Sequence, residues 1–237
     1  MPILTNIKIN LTPETILDKG LQVRHPSKIA QEVRTSIALS KQLLQPKVAY
    51  QWVEILDVQS NSIVCYNNQS KIKNEFHINA VDSLLSEAKS MLISIATIGS
   101  RLDEKILTLN QSGNYLMAYL LDHIGVIVLE QINTIVCSLA EKKAQKNNWG
   151  VSQSISPGSL DGWGLEGQKA LFGHVPFDKI GVHLNPTGMM NPLKSVSGFI
   201  AIGPGFASRK VASLCSMCNH SLDCKKHNTE KSRGVIS

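Results

Sequence analysis

NYLMAYLLDHIGVIVLEQINTIVCSLAEKKAQK, residues 114–146, is the stretch from which the rest of the chain can be read. Its length and apolar content predict one long helix, and Lys142, Lys143 and Lys146 in the final turns complement the negative end of the helix dipole. The run from Tyr115 to Ala140 is long enough to cross a bilayer. Asp122, His123, Glu130, Gln131 and Asn133 interrupt it near its middle, which favours a buried core helix and no membrane. A helix of this kind needs a sheet or other helices to cover it.

Upstream, the opening ILTNIKINL alternates as a strand, and Thr12 with Pro13 offers a cap and first turn for a short helix that Gly20 can stop. Ser27 is read as the start of a second helix, because Ile29, Val33 and Ile37 recur every four residues and Pro46 lies beyond. Val48 to Val58 and Ser62 to Tyr66 read as a hairpin around Ser60-Asn61-Ser62, with a third strand near Ile72 to Ile78. Residues 80–89 read as a helix, Met91 to Ile98 as a buried strand ending at Gly99, and Arg101 to Leu109 as a helix.

Downstream, Asn147 to Pro157 reads as a polar loop and Leu165 to Phe172 as a short helix. Two strands, Ile180 to Leu184 and Val196 to Ile202, flank the segment NPTGMMNPLKS. Segregated helices and short strands without regular alternation predict an α+β fold, a mixed or antiparallel sheet with packed helices including the long one. The chain divides into an N-terminal α/β segment over 1–95, a core over 96–206 and a Cys-rich basic tail over 207–237.

With 237 residues, 43% of them hydrophobic, the chain can bury a sizeable core without disulfides. Aromatics are only 5%, so that core is expected to be aliphatic. The formal charge of +6 is uneven: residues 209–237 hold 6 Lys or Arg against 2 Asp or Glu, while the rest is nearly balanced. A basic tail without interleaved aromatic platforms argues against nucleic-acid binding. The N-terminus MPILTNIKINLTPE lacks a charged start, an apolar run and a cleavage site, so a cytoplasmic location is expected. Walker, GxSxG and HExxH patterns are all absent.

Five cysteines are present, and Cys215, Cys218 and Cys224 crowd into ten residues, whereas Cys65 and Cys137 stand alone in apolar surroundings. The spacing Cys-x2-Cys-x5-Cys suits a thiolate-bound zinc ion or an iron–sulfur cluster, with His227 or His220 as a fourth ligand. Arg209, Lys210, Lys225 and Lys226 would offset the thiolate charge.

Two segments carry a resemblance: Ser154-Ile155-Ser156-Pro157-Gly158-Ser159, followed by Trp163 and Glu166-Gly167-Gln168, and then Ile180-Gly181-Val182-His183-Leu184 leading into Met189-Met190-Asn191-Pro192-Leu193-Lys194-Ser195-Val196-Ser197-Gly198. In order and spacing they resemble the activation domain of cobalamin-dependent methionine synthase, in its short standalone form, over about residues 95–205.

The resemblance implies an α+β domain that docks on a corrinoid-bearing protein or methyltransferase. It also implies S-adenosylmethionine binding for reductive remethylation, with the electron coming from an external donor. The positions it nominates for cofactor binding are Glu130, Ser154, Ser156, Pro157, Gly158, Ser159, Trp163, Met190, Ser195 and Ser197. The family turn reads Arg-x-x-Pro-Gly-Tyr, and here Ser154 and Ser159 stand at the Arg and Tyr positions. Val126 stands where an acidic residue is expected on the preceding helix, with Glu130 one turn later. The expected function is an accessory or reactivation protein for a corrinoid-dependent methyltransferase. The alternative is an iron–sulfur or zinc-binding interaction module on the same fold that binds no methyl donor.

Overall fold

A run of eight residues, SMLISIAT, is apolar on both alternating faces and forms the central strand β5 (Ser90–Thr97), buried on each side. In the computed structural model, which describes residues 2–18, 29–160 and 162–212 with the side chain of Ile72 excepted, an antiparallel sheet is built around this strand. Its order is β4 (Ile72–His77), β3 (Ser62–Asn67), β2 (Lys47–Gln59), β5, β9 (Ser195–Gly203) and β6 (Gly150–Ile155), with β1 (Ile3–Leu4) pairing on the start of β2. The expected mixed or antiparallel sheet is thus antiparallel at every pairing among the described residues. The 95/96 division falls inside β5, so the two segments share one sheet.

Leu92 and Ala96 of β5 and Ile200 and Ile202 of β9 face the long helix α5 (Tyr115–Lys146). Against them α5 buries Leu121, Ile124, Val128, Ile132, Val136 and Ala140, spaced three or four apart as one helical face. The Asn114 side chain caps its start by accepting from the Met117 N–H at 3.3 Å. By length and apolar composition alone α5 could cross a membrane. Here it packs between the sheet, α2 (Ala30–Leu43) and α4 (Arg101–Gln111), with α1 (Pro13–Asp18) across it.

The other face of the sheet is covered by shorter pieces: α3 (Asp82–Leu85), a 3-10 turn Leu165–Gly167 running into α6 (Gln168–Phe172), and a 3-10 turn Phe177–Ile180. Phe76, Trp163, Phe172 and Phe199 fill this second core. A small hairpin, β7 (His183–Leu184) with β8 (Met190–Asn191), leads into β9.

Several elements differ from the sequence reading. Asn147–Pro157 is not a polar loop, because Gly150–Ile155 pairs with β9 as the edge strand. Its polarity misleads, since a bulge between Val151 and Ser154 breaks the period-two pattern. There the Ser152 hydroxyl replaces a ladder carbonyl, accepting from Ala201 N–H at 2.9 Å.

The opening strand is only Ile3–Leu4; beyond it Ile7 and Ile9 pack on the helical core without a strand partner. Residues 80–89 contain only the short α3. No strand spans Ile180–Leu184: Ile180 ends the 3-10 turn Phe177–Ile180, Gly181 follows at φ +77°, and only the two-residue β7 comes after it. The second helix begins at Ala30, and both Ser27 and Gly20 lie outside the described residues.

Candidate functional site

Ser156-Pro157-Gly158-Ser159 forms a tight turn at the exit of β6. The Ser159 N–H donates to the Ser156 carbonyl at 3.0 Å. Pro157 supplies the restricted φ and Gly158 the φ of +83°, the arrangement of a type II turn. The Ser159 hydroxyl locks it twice, accepting from the Ser156 N–H at 3.1 Å and donating to the Ser156 carbonyl. That hydroxyl is therefore occupied by the turn itself. Gly158 N–H donates to the Trp163 carbonyl at 2.7 Å, which closes the next loop.

Gly198 of β9 lies beneath this turn, where a Cβ would meet the Ile155 carbonyl oxygen at 2.6 Å and Ser156 Oγ at 2.8 Å. Only glycine permits so close an approach of the two strands. Beside it, Ser154, Ser156, Ser94 and Val196 line a narrow crevice against Asn133 and Val136 of α5. Half-buried Glu130 sits one turn earlier on α5.

The other nominated residues do not all converge here. Ser197 borders the crevice, but it is buried and its hydroxyl donates to Gln168 Oε1 at 3.3 Å. The Ser195 hydroxyl donates to Thr97 Oγ1 at 2.9 Å. Trp163 is 2% exposed and packs on Phe199 with ring centroids 5.5 Å apart, so it supports the turn from within the core. Met190 is half-buried in β8, while its neighbour Met189 is exposed. Leu165, also exposed, lies under Gly158 and Gly188 and joins the turn to the Met189 loop as one apolar rim.

Sequence reasoning missed Ser94 and Asn133. Asn133 was accessible to it, since it follows Glu130 by three residues on the same helix face. Ser94 was not, because only the sheet's face assignment turns it toward α5.

The crevice has a volume of about 10 Å³, room for about one water. Small-molecule pockets occupy roughly 300–1,000 Å³. Ser154 and Ser156 contribute neutral hydroxyls, and at the position where the resemblance calls for Arg no cation is present to hold a carboxylate. This donor set and volume do not fit S-adenosylmethionine. A larger groove of about 660 Å³ runs between Gln45, Gly99, Asp103, Ile180 and Leu193, and none of the nominated residues line it.

Cys215, Cys218, Cys224 and His227 lie outside the described residues. Among the described residues no three His, Cys, Asp or Glu side chains gather as a metal site. Burial pushes the Cys65 thiol up to about 12, and burial with the nearby Glu141 pushes Cys137 up to about 11. Both are held as thiols at neutral pH and are poor nucleophiles or ligands.

No family model and no curated protein matches this chain. Among solved structures it is similar to the MetH reactivation domain bound to AdoHcy, with a TM-score of 0.55 and 13% sequence identity, covering 92% of this chain and 76% of that one. The fold is therefore an α+β fold like that of the reactivation domain, in agreement with the sequence resemblance.

Proposed function

We propose that this chain is a reactivation-type accessory protein for a corrinoid-dependent, methionine synthase-like methyltransferase. In this reading it acts by docking on the corrinoid-bearing partner, and an electron donor outside the chain supplies reducing equivalents. The supporting observation is the exposed rim around the Pro157-Gly158 turn, where Leu165 and Met189 stand clear of the core on a fold shared with the MetH reactivation domain. Adaptable Met and Leu side chains on a fixed turn suit a flat, partly apolar ligand presented by another protein. Trp163 and Ser159 hold that turn rigid from behind, so docking would carry little ordering cost.

The crevice supports docking without methyl-donor binding, because Ser154 replaces the expected Arg and Ser159 spends its hydroxyl on the turn. On the same fold, the tail residues Cys215, Cys218 and Cys224, with His227 as the fourth ligand, are proposed to hold one zinc ion or iron–sulfur cluster, on the strength of their spacing.

Mixing the protein with a cobalamin-loaded methionine synthase domain should change the corrinoid's visible spectrum, and Met189→Asp should abolish the change. Unchanged spectra at concentrations where a pull-down succeeds would overturn the docking reading. Calorimetry with S-adenosylmethionine is expected to show no saturable binding, and micromolar binding would restore the donor-binding form. Metal, iron and sulfide analysis of anaerobically purified protein decides the tail centre, each single Cys→Ser change being expected to lower metal content sharply.

A further inference from the structure

Beyond β9 the chain returns along the outside of β6. Gly150 admits it, since a Cβ there would lie 1.9 Å from the Phe206 carbonyl oxygen, and the Val151 N–H donates to the Ser208 carbonyl at 2.8 Å. Between this returning segment and the C-terminal turns of α5 lies a recess of about 560 Å³, inside the roughly 300–1,000 Å³ of small-molecule pockets. It sits at the Gly150 end of β6, about 17 Å along the strand from Ile155 and the Pro157-Gly158 turn.

The charged side chains that line it are Lys142, Arg209, Lys210 and Glu141. Glu141 is already committed, accepting from Lys210 Nζ at 2.8 Å and from the Val211 N–H at 3.0 Å. Lys210 spends one ammonium hydrogen on it and stays 85% exposed. Arg209 donates to the Trp149 carbonyl and to Asn148 Oδ1, which leaves the rest of its guanidinium donors free of protein partners among the described residues. Lys142 is exposed and has no hydrogen-bond or ion-pair partner among the described residues.

These cations do not cap α5, because the helix closes itself. Asn148, at φ +58°, donates its N–H to the Gln145 carbonyl at 3.0 Å, and the Trp149 N–H donates to the Ala144 carbonyl at 2.8 Å, the pairing of a Schellman end. Three cations against one carboxylate thus leave two positive charges facing the recess, with the amides of Gln145 and Asn148 beside them.

We propose that this recess binds a small phosphorylated ligand, its phosphoryl oxygens held by Lys142, Arg209 and Lys210 and its body lying against Trp149. A phosphoryl dianion balances the two uncompensated charges and offers three acceptor oxygens to donors that converge from the helix and from the returning segment. A single carboxylate would leave one charge standing. The recess is concave and its two walls are tied together through Glu141, which suits a small molecule better than the flat face of an acidic protein. The inference is independent of the docking rim, which lies at the other end of β6.

The test is a titration of the full chain with inorganic pyrophosphate at constant ionic strength, followed by calorimetry and by backbone amide shifts. Saturable binding is expected, with the shifts confined to the end of α5, the start of β6 and residues 208–212. Lys142→Glu touches no contact of the fold and should weaken binding about tenfold or more, with an unchanged urea midpoint. No saturable binding, shifts centred elsewhere, or equal affinity in Lys142→Glu would overturn the proposal. Acetate bound as tightly as pyrophosphate would also overturn it, and so would binding seen only with a polyglutamate peptide, which would mark the face as a protein-docking surface. Failure here leaves the corrinoid spectral experiment and its reading untouched.

Discussion

The two faces of the central sheet are covered in opposite ways. Toward α5 the core is aliphatic, built from Leu, Ile, Val and Ala on regular helices. On the far side, short helices and 3-10 turns supply little regular surface, and the space is filled by Phe76, Trp163, Phe172 and Phe199 around the buried His174. A long amphipathic helix spreads its burial over many small contacts. Loops that leave and rejoin a sheet depend on a few large anchors, and all five of the chain's phenylalanines pack there. The candidate turn belongs to this second face through Trp163, while the crevice beside it opens toward the first.

The sharpest way to break this contrast is to remove one anchor. Trp163→Ala should lose about 3–5 kcal/mol, measured by urea denaturation, and should loosen the Pro157-Gly158 turn with it. A loss below about 1 kcal/mol would mean that the loop-covered face does not depend on its anchors. Next in size, Ser152→Ala leaves the Ala201 N–H without its acceptor at the bulge, with an expected cost of about 1–3 kcal/mol and faster exchange of that amide.

On the helical face a single methyl matters less. Ile124→Val should cost about 0.5–1.5 kcal/mol, and a cost as large as that of Trp163→Ala would erase the difference between the two cores.

The smallest effect is a slope with pH. His174 stacks on Phe76 at 5.3 Å and accepts from Asn74 Nδ2 at 2.9 Å, which leaves its buried Nδ1 without a partner among the described residues. Burial lowers its pKa below the ordinary histidine value. The unfolded chain therefore takes up the proton first, so this contribution to stability is intact above about pH 6.5 and is lost as pH falls through the lower folded value. Urea midpoints between about pH 8 and 5 should decline for the native chain and decline less for His174→Gln. Parallel declines would remove His174 as the cause.

Much of this architecture was legible beforehand. β2, β3, β4, β5 and β9 follow from alternation or solid apolar runs, and α5 follows from length and its final lysines, because backbone geometry alone sets those periods. β6 was not legible, since its bulge and edge position let polar residues occupy a strand. Of the nominated serines, Ser154, Ser156 and Ser197 line the crevice, the Ser197 hydroxyl being turned to Gln168, whereas the Ser195 hydroxyl turns to Thr97. Strand alternation predicts that neighbours diverge, but the sheet register decides which neighbour faces α5.

By itself the sequence determined the α+β class, the long core helix and the Pro-Gly turn, each a consequence of local propensity and spacing. Tertiary structure alone decided three further things: that the crevice beside the turn admits about one water, that Trp163 is an anchor and not a surface contact, and that the segment from Ser208 to Ala212 lies along β6. Those depend on pairings between residues some fifty positions apart in the chain, such as Ser154 with Ala212 and Ser152 with Ala201. No local pattern encodes contacts of that range, because they are settled by how the sheet and α5 pack as a whole.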